Sequence, residues 1–204
     1  MKRAIFLDKD GTLVEDVPYN CDARLIRLMP RLSEGLRRLQ AAGYLLIIVS
    51  NQAGVAHGKV SLEALASAEG TIRARLQDLQ IRLDGFYFCP HHPEGCVPLY
   101  ARSCDCRKPA PGLLLQAAFD GEVDLSASWM IGDILHDVEA GRRAGCRTIL
   151  LDNGHETEWL LGAHRFPHHM AADLDSAADI VLAEDHEVRM SSMEGSTCGL
   201  SGGA

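Results

Sequence analysis

The sequence predicts an α/β fold, a doubly wound parallel sheet with helices on both faces. Three observations lead there: short continuous apolar runs recur along the chain, segments of helical spacing separate them, and acidic residues follow the runs directly. The size agrees, since 204 residues suit one domain with a core of ordinary size. A composition 47% hydrophobic and 24% charged excludes a disordered, collagenous or coiled-coil chain.

The elements follow in order. Ala4–Leu7 and Leu45–Val49 read as strands covered on both faces, because they are apolar without alternation. Between them Leu32, Leu36 and Leu39 recur at helical spacing over 33–42, with Ser33 as the expected cap and Gly43 as the left-handed close. A helix from Ser61 to about Leu79, a strand at Phe86–Phe88 and a helix from Gly112 to Phe119 continue the rhythm. Trp129–Ile131 and Thr148–Leu151 are two more strands around a helix at 137–144, and Ile180–Leu182 is expected as a last edge strand. One domain over 1–187 is expected, followed by a flexible tail over 188–204, rich in Ser and Gly from Ser191.

The net charge of -8, from 28 acidic against 20 basic residues, comes without a basic run and argues against a general nucleic-acid binder. Apolar runs such as Tyr44–Val49 are too short to span a bilayer, and the N-terminus lacks the apolar stretch of a signal peptide, so a cytoplasmic protein is expected. Seven cysteines are an odd count, and four lie within Cys89–Cys106. That crowding points to metal binding in a reducing compartment rather than to a disulfide framework.

The chemistry lies where the strands end. Asp8-Lys9-Asp10-Gly11-Thr12 follows the first strand, Ser50-Asn51-Gln52 closes the second, and Gly132-Asp133 with Asp137 follows the strand at Trp129. Open α/β sheets bind ligands at this rim, although Asp-Gly alone is also an ordinary turn. Carboxylates converging there would repel one another unless a cation joined them, and oxygen ligands with room for water and phosphate suit Mg²⁺. Lys108 could cradle a phosphate oxygen; the alternative is a solvated surface lysine. The loop from Pro90 to Pro111 holds five prolines and shows no helix or strand period, so it needs an organising element such as a metal. Cys89, His91, Cys104 and Cys106 form a closed set of four ligands suited to structural Zn²⁺. His155, His164, His168 and His169 lie beyond these motifs and are expected to be solvated loop residues.

Asp8-Lys9-Asp10-Gly11-Thr12, Ser50, Lys108 and Gly132-Asp133-x-x-x-Asp137 resemble, in order, the four motifs of the haloacid dehalogenase-type phosphatases, which have a Rossmann-like fold. Cys89-Pro90-His91 with Cys104-Asp105-Cys106-Arg107-Lys108-Pro109 resembles the zinc-bearing subgroup of histidinol phosphatases and heptose bisphosphatases, which lacks the family's cap. The resemblance implies Asp8 as nucleophile, Asp10 as general acid and base, and Ser50 and Lys108 holding the phosphoryl oxygens. Mg²⁺ would be held by Asp8, the Asp10 main-chain carbonyl and Asp133. Asp16, Val17, Pro18 and Tyr19 would contact a sugar phosphate, with Asn51, Gln52 and Arg107 beside them, and Arg107 would reach a distal phosphate.

The length of the cysteine loop is closer to the heptose enzymes, so release of the C7 phosphate of a heptose 1,7-bisphosphate in nucleotide-heptose biosynthesis is the implied reaction. Histidinol phosphate and broader sugar phosphates are the alternatives, and a catalytically silent binding domain is the non-enzymatic one. A monomer acting on a small molecule, without nucleic acid or membrane, is expected. Ile134 stands where many relatives carry Lys.

Overall fold

The computed structural model describes residues 1–160 and 162–197. Six parallel strands, β1 (Arg3–Leu7), β2 (Tyr44–Asn51), β3 (Gly85–Cys89), β4 (Trp129–Gly132), β5 (Arg147–Leu151) and β6 (His169–Ala171), form one sheet in the order β3-β2-β1-β4-β5-β6. The helices are α1 (Ser33–Ala41), α2 (Leu62–Asp78), α3 (Gly112–Gly121), α4 (Leu135–Ala144) and α5 (Leu174–Thr197). The doubly wound α/β expectation therefore holds. No described helix is long and apolar enough to cross a membrane.

Strand pleating explains why the apolar runs are continuous. Ile5, Leu7, Leu46, Ile48 and Ile131 face one layer with Leu36, Leu39, Ile72, Leu76, Ala177 and Val181. Their neighbours Ala4, Phe6, Ile47, Val49 and Met130 face the other, with Leu113, Leu114, Ala117 and Ala140. Each face has its own helices, so neither can carry polar residues.

Three expectations are corrected. Ile180–Leu182 is not a strand but part of α5: Leu174, Ala177, Ala178 and Val181 are buried at helical spacing, and that longer period overrides three β-favouring residues. The edge strand is instead His169–Ala171, a short, half-exposed segment without an apolar run. Ser33 does not cap α1 with its side chain; the Gly35 N–H donates to Asp175 Oδ1 of α5 at 2.7 Å. Ser61 does cap α2, accepting from the Ala64 N–H at 3.1 Å, and Gly43 takes φ 90° after α1. α5 continues through Thr197, past the expected domain end at 187, because a helix already nucleated on the core propagates at little cost. Residues 198–204 of the expected tail lie outside the described residues.

The start of α5 yields a stability prediction. Asp173 Oδ1 accepts from the Ser176 N–H at 2.8 Å, and its Oδ2 pairs with Arg31 at 2.6 Å. Burial opposes ionisation, but the Ser176 hydrogen bonds and Arg31 outweigh it and hold the carboxyl below the usual aspartate range. Asp173→Ala is expected to cost about 1 kcal/mol, the typical worth of such a cap. Since the folded pKa is depressed, the contribution is present above the unfolded carboxylate pKa and fades as pH falls through the folded one. Urea melts at pH 7 and pH 3 would check it: the two proteins should differ at pH 7 and draw together at pH 3.

Candidate active site

Leu7 pairs with Ile48 on one side and Ile131 on the other, and Asn51 pairs with Cys89. The carboxyl ends of β1, β2, β3 and β4 therefore share one rim, at the point where strand order reverses between β1 and β4. Asp8, Ser50, Cys89 and Asp133 leave the sheet there.

Lys108 is a buried centre of this rim, 2% exposed, and the surface-lysine alternative is excluded. Its Nζ lies 2.5 Å from Asp8 Oδ1 and 2.6 Å from Asp137 Oδ1, and it donates to the Val49 carbonyl at 2.9 Å. Although burial pulls the ammonium pKa down, Asp137 and Asp8 raise it above the ordinary lysine range. The Lys108 backbone is held by one side chain: Asn51 Nδ2 donates to its carbonyl and Asn51 Oδ1 accepts from its N–H, both at 2.9 Å. Asn51, expected to contact substrate, thus has its amide engaged in placing the lysine.

Asp8, Asp133 and Asp137 offer oxygens within 4.8 Å of one another. Burial, then the charge of Asp8, pushes Asp133 up to about 6. Asp137 is pushed up to about 7 by burial, against the pull of Lys108. One ammonium does not balance three buried carboxylates, and a divalent cation would remove the excess. The backbone makes room for this crowding. A Cβ on Gly11, whose φ is 79°, would meet Asp133 Oδ2 at 2.2 Å, and one on Gly132 would meet Asp137 Oδ2 at 2.2 Å.

Asp10 faces the cleft. Its Oδ1 lies 2.5 Å from Lys9 Nζ, and its Oδ2 accepts from Gln52 Nε2 at 3.0 Å. The same Gln52 amide donates to Ser50 Oγ at 2.8 Å, linking the two sides of the site. Burial raises the Asp10 pKa, against the pull of Lys9. Lys9, Asp10, Asp16, Val17, Tyr19, Asn51 and Gln52 line a cavity of about 200 Å³. Pro18 lies on the adjoining cavity of about 490 Å³ with Val17, Tyr19 and Lys59. Arg107 faces the cysteine loop, its guanidinium 3.5 Å from the His91 carbonyl.

In the long loop, Cys89 Sγ lies 3.5 Å from Cys104 Sγ and 3.1 Å from Cys106 Sγ, and His91 Nδ1 lies 3.3 Å from Cys106 Sγ. Four ligand atoms converge on one point, and the three thiols remain unpaired. Three sulfurs and an imidazole nitrogen fit a tetrahedral metal. Because Gln52 N–H donates to the Cys89 carbonyl at 2.8 Å, this cluster is attached to the rim that carries Asp8 and Ser50.

The expectation of solvated loop residues holds for His155, His164 and His168, which are exposed, whereas His169 is half-buried in β6; three of the four are nonetheless bonded to the fold. His155 Nδ1 lies 2.7 Å from Asp133 Oδ2, His168 Nδ1 accepts from the Thr148 N–H at 2.9 Å, and His169 Nε2 lies 2.5 Å from Glu184 Oε1. Each finds its partner through the path of the chain after β5, which no local spacing reveals. Lys9 was also missed; its position between two carboxylates was the available signal. Ile134 lines a surface cleft of about 180 Å³ with His136, His155, Glu156 and Arg165.

Residues 105–186 match the family described as HAD-hydrolase-like. The chain is 42% identical over 155 residues to a D-glycero-beta-D-manno-heptose-1,7-bisphosphate 7-phosphatase of Pasteurella multocida (strain Pm70), covering 76% of this chain and 84% of the relative. It is 39% identical over 182 residues to a D-glycero-D-manno-heptose-1,7-bisphosphate 7-phosphatase of Chlorobaculum tepidum, covering 86% and 92%. A solved D,D-heptose 1,7-bisphosphate phosphatase from B. bronchiseptica, complexed with magnesium and phosphate, matches with a TM-score of 0.77 at 27% identity, covering 89% of this chain and 99% of that one.

Proposed function

The chain belongs to the family of these heptose bisphosphate 7-phosphatases within the HAD-like hydrolases, and from that premise we propose that it removes the C7 phosphate of D-glycero-D-manno-heptose 1,7-bisphosphate and leaves the anomeric phosphate in place. The observation that carries the reading is the buried Asp8–Lys108–Asp137 cluster beside Asp133, with Asp10 facing the adjoining cleft.

Asp8 attacks phosphorus, the bond to the C7 oxygen breaks, and Asp10 gives that oxygen its proton. An aspartyl-phosphate remains. Asp10, now a carboxylate, takes a proton from the water that attacks the same phosphorus, freeing Asp8 and inorganic phosphate. Burial favours the proton-carrying form of Asp10 with which the cycle begins, and Gln52 fixes its orientation relative to Ser50. Ser50 and Lys108 hold the equatorial oxygens, where charge gathers. Asp8, Asp133 and the Asp10 carbonyl would hold Mg²⁺, which would supply further charge neutralisation at the phosphoryl group. Asp16, Val17, Pro18 and Tyr19 contact the sugar, and Arg107 is assigned the phosphate that does not react.

Phosphorus NMR of the product tests the assignment. Retention of the anomeric phosphate supports it. Release of that phosphate, or a higher kcat/KM for histidinol phosphate, sinks the substrate while sparing the phosphatase class.

Cys89, His91, Cys104 and Cys106 hold one structural Zn²⁺ in this reading, since four protein ligands leave no position for an activated water. Cys104→Ser is expected to lose zinc, lower the melting temperature and reduce turnover through displacement of Arg107 and Lys108, while the Mg²⁺ requirement stays the same. Metal analysis with thermal melts checks this; a zinc-free protein as stable and active as the parent would refute it.

A further inference from the structure

We propose that His155 is a positioning residue of the cation site, donating from Nδ1 to Asp133 Oδ2 so that this carboxylate is held in one orientation toward a divalent cation. The inference rests on the reading of Asp8 and Asp133 as cation ligands.

After β5 the chain turns back over the ends of β4 and β1 and is tied to three different parts of the site. Asn153 Nδ2 donates to the Gly11 carbonyl at 2.7 Å, in the loop that carries Asp8 and Asp10. His155 Nδ1 lies 2.7 Å from Asp133 Oδ2. Glu156 Oε2 accepts from the Leu135 N–H at 2.6 Å, at the first turn of α4, while its Oε1 accepts from the Glu158 N–H at 2.9 Å. The imidazole is therefore delivered by a fastened segment.

An ionised carboxylate only accepts hydrogen bonds, so Nδ1 is the nitrogen that bears hydrogen. The other oxygen, Asp133 Oδ1, accepts from Thr12 Oγ1 at 2.8 Å. With one donor on each oxygen the carboxylate plane is fixed, and each oxygen keeps lone-pair capacity for a metal. Gly11 permits this approach, since a Cβ there would stand 2.4 Å from His155 Nδ1. The cluster of oxygens within mutual ligand distance is Asp8, Asp133 and Asp137; His155 stands behind it and acts through Asp133. Loss of such an outer hydrogen bond weakens metal affinity by about 10–100-fold.

The test uses the zinc-loaded protein, so that the cysteine cluster is filled, with Mn²⁺ alone as probe and free Mn²⁺ read by electron paramagnetic resonance. His155→Ala and His155→Phe, which lack the donor, are expected to weaken Mn²⁺ binding by about 10–100-fold. His155→Asn, whose side-chain nitrogen is as many bonds from Cα as Nδ1, should recover most of it; a loss that only reflected loosening of the segment would not respond to the returned donor. If His155→Ala does not fold, the Phe and Asn pair carries the comparison. Parental affinity in His155→Phe overturns the inference, as does equal weakness of a folded His155→Asn. Asp133→Asn separates the two levels: if it too binds Mn²⁺ as the parent does, the cation-site reading falls; if it alone loses binding, only the role of His155 falls.

Discussion

Asp8→Asn is expected to lose turnover on the order of a million-fold, the scale set by removing a covalent nucleophile, with the fold intact. The amide is nearly isosteric with the carboxylate and its oxygen can still accept from Lys108 Nζ, which now lies 2.5 Å from Asp8 Oδ1. An amide is a far weaker nucleophile, so no aspartyl-phosphate forms and the second step has nothing to hydrolyse. Single-turnover assays on protein with a parental circular dichroism spectrum and metal content decide the matter. Activity above a trace in that protein sinks the nucleophile assignment.

Lys108→Met should impair both catalysis and stability, for two separable reasons. Removing the cation that we assign to the phosphoryl oxygens is expected to cost about 100–1,000-fold in kcat, the range for a lost electrostatic donor. The fold loses more than one contact, because Asp8 and Asp137 are both left in a buried setting without their counter-charge. Removing one partner of a buried pair typically costs about 3–5 kcal/mol. Lys108→Met with Asp137→Leu should recover part of the stability and none of the rate. Denaturant melts beside kcat measurements check the split; a double variant that regains rate would mean that Lys108 acts on the fold alone.

Much of this site was legible because its chemistry is tied to strand ends. A residue directly after an apolar run must emerge at the rim, so Asp8, Ser50 and Asp133 could be placed before any geometry was known. The cysteine cluster was legible for a different reason, since ligand pairs two residues apart bracket a loop with no other means of order. What escaped notice depends on the path of the chain through space. His155 reaches Asp133 from 22 residues away, and Asn51 spends its amide on a backbone 57 residues distant. Neither contact leaves a local pattern. The misreading of Ile180–Leu182 was one of scale: three residues favoured a strand, whereas the period that decided the matter began at Leu174.

The closing position of α5 bears on how the chain is made. Asp185 bonds Arg3 at the start of β1 across 182 residues, and its Oδ1 accepts from the Tyr44 hydroxyl at 2.8 Å. Asp175 caps the first turn of α1, and the apolar face of α1 at Leu36 and Leu39 shares its cluster with Ala177 and Val181. During synthesis, from amino to carboxyl end, the first helix therefore leaves the ribosome long before the helix that covers it. Until α5 emerges, the nascent chain exposes an unsealed layer beside β1, the strand that leads into Asp8. Contacts this remote in sequence form late, and exposed apolar surface in the interim is what chaperones bind. Truncation before α5 would thus leave Asp8, Ser50, Lys108 and Asp133 all translated and the sheet they depend on open along one face.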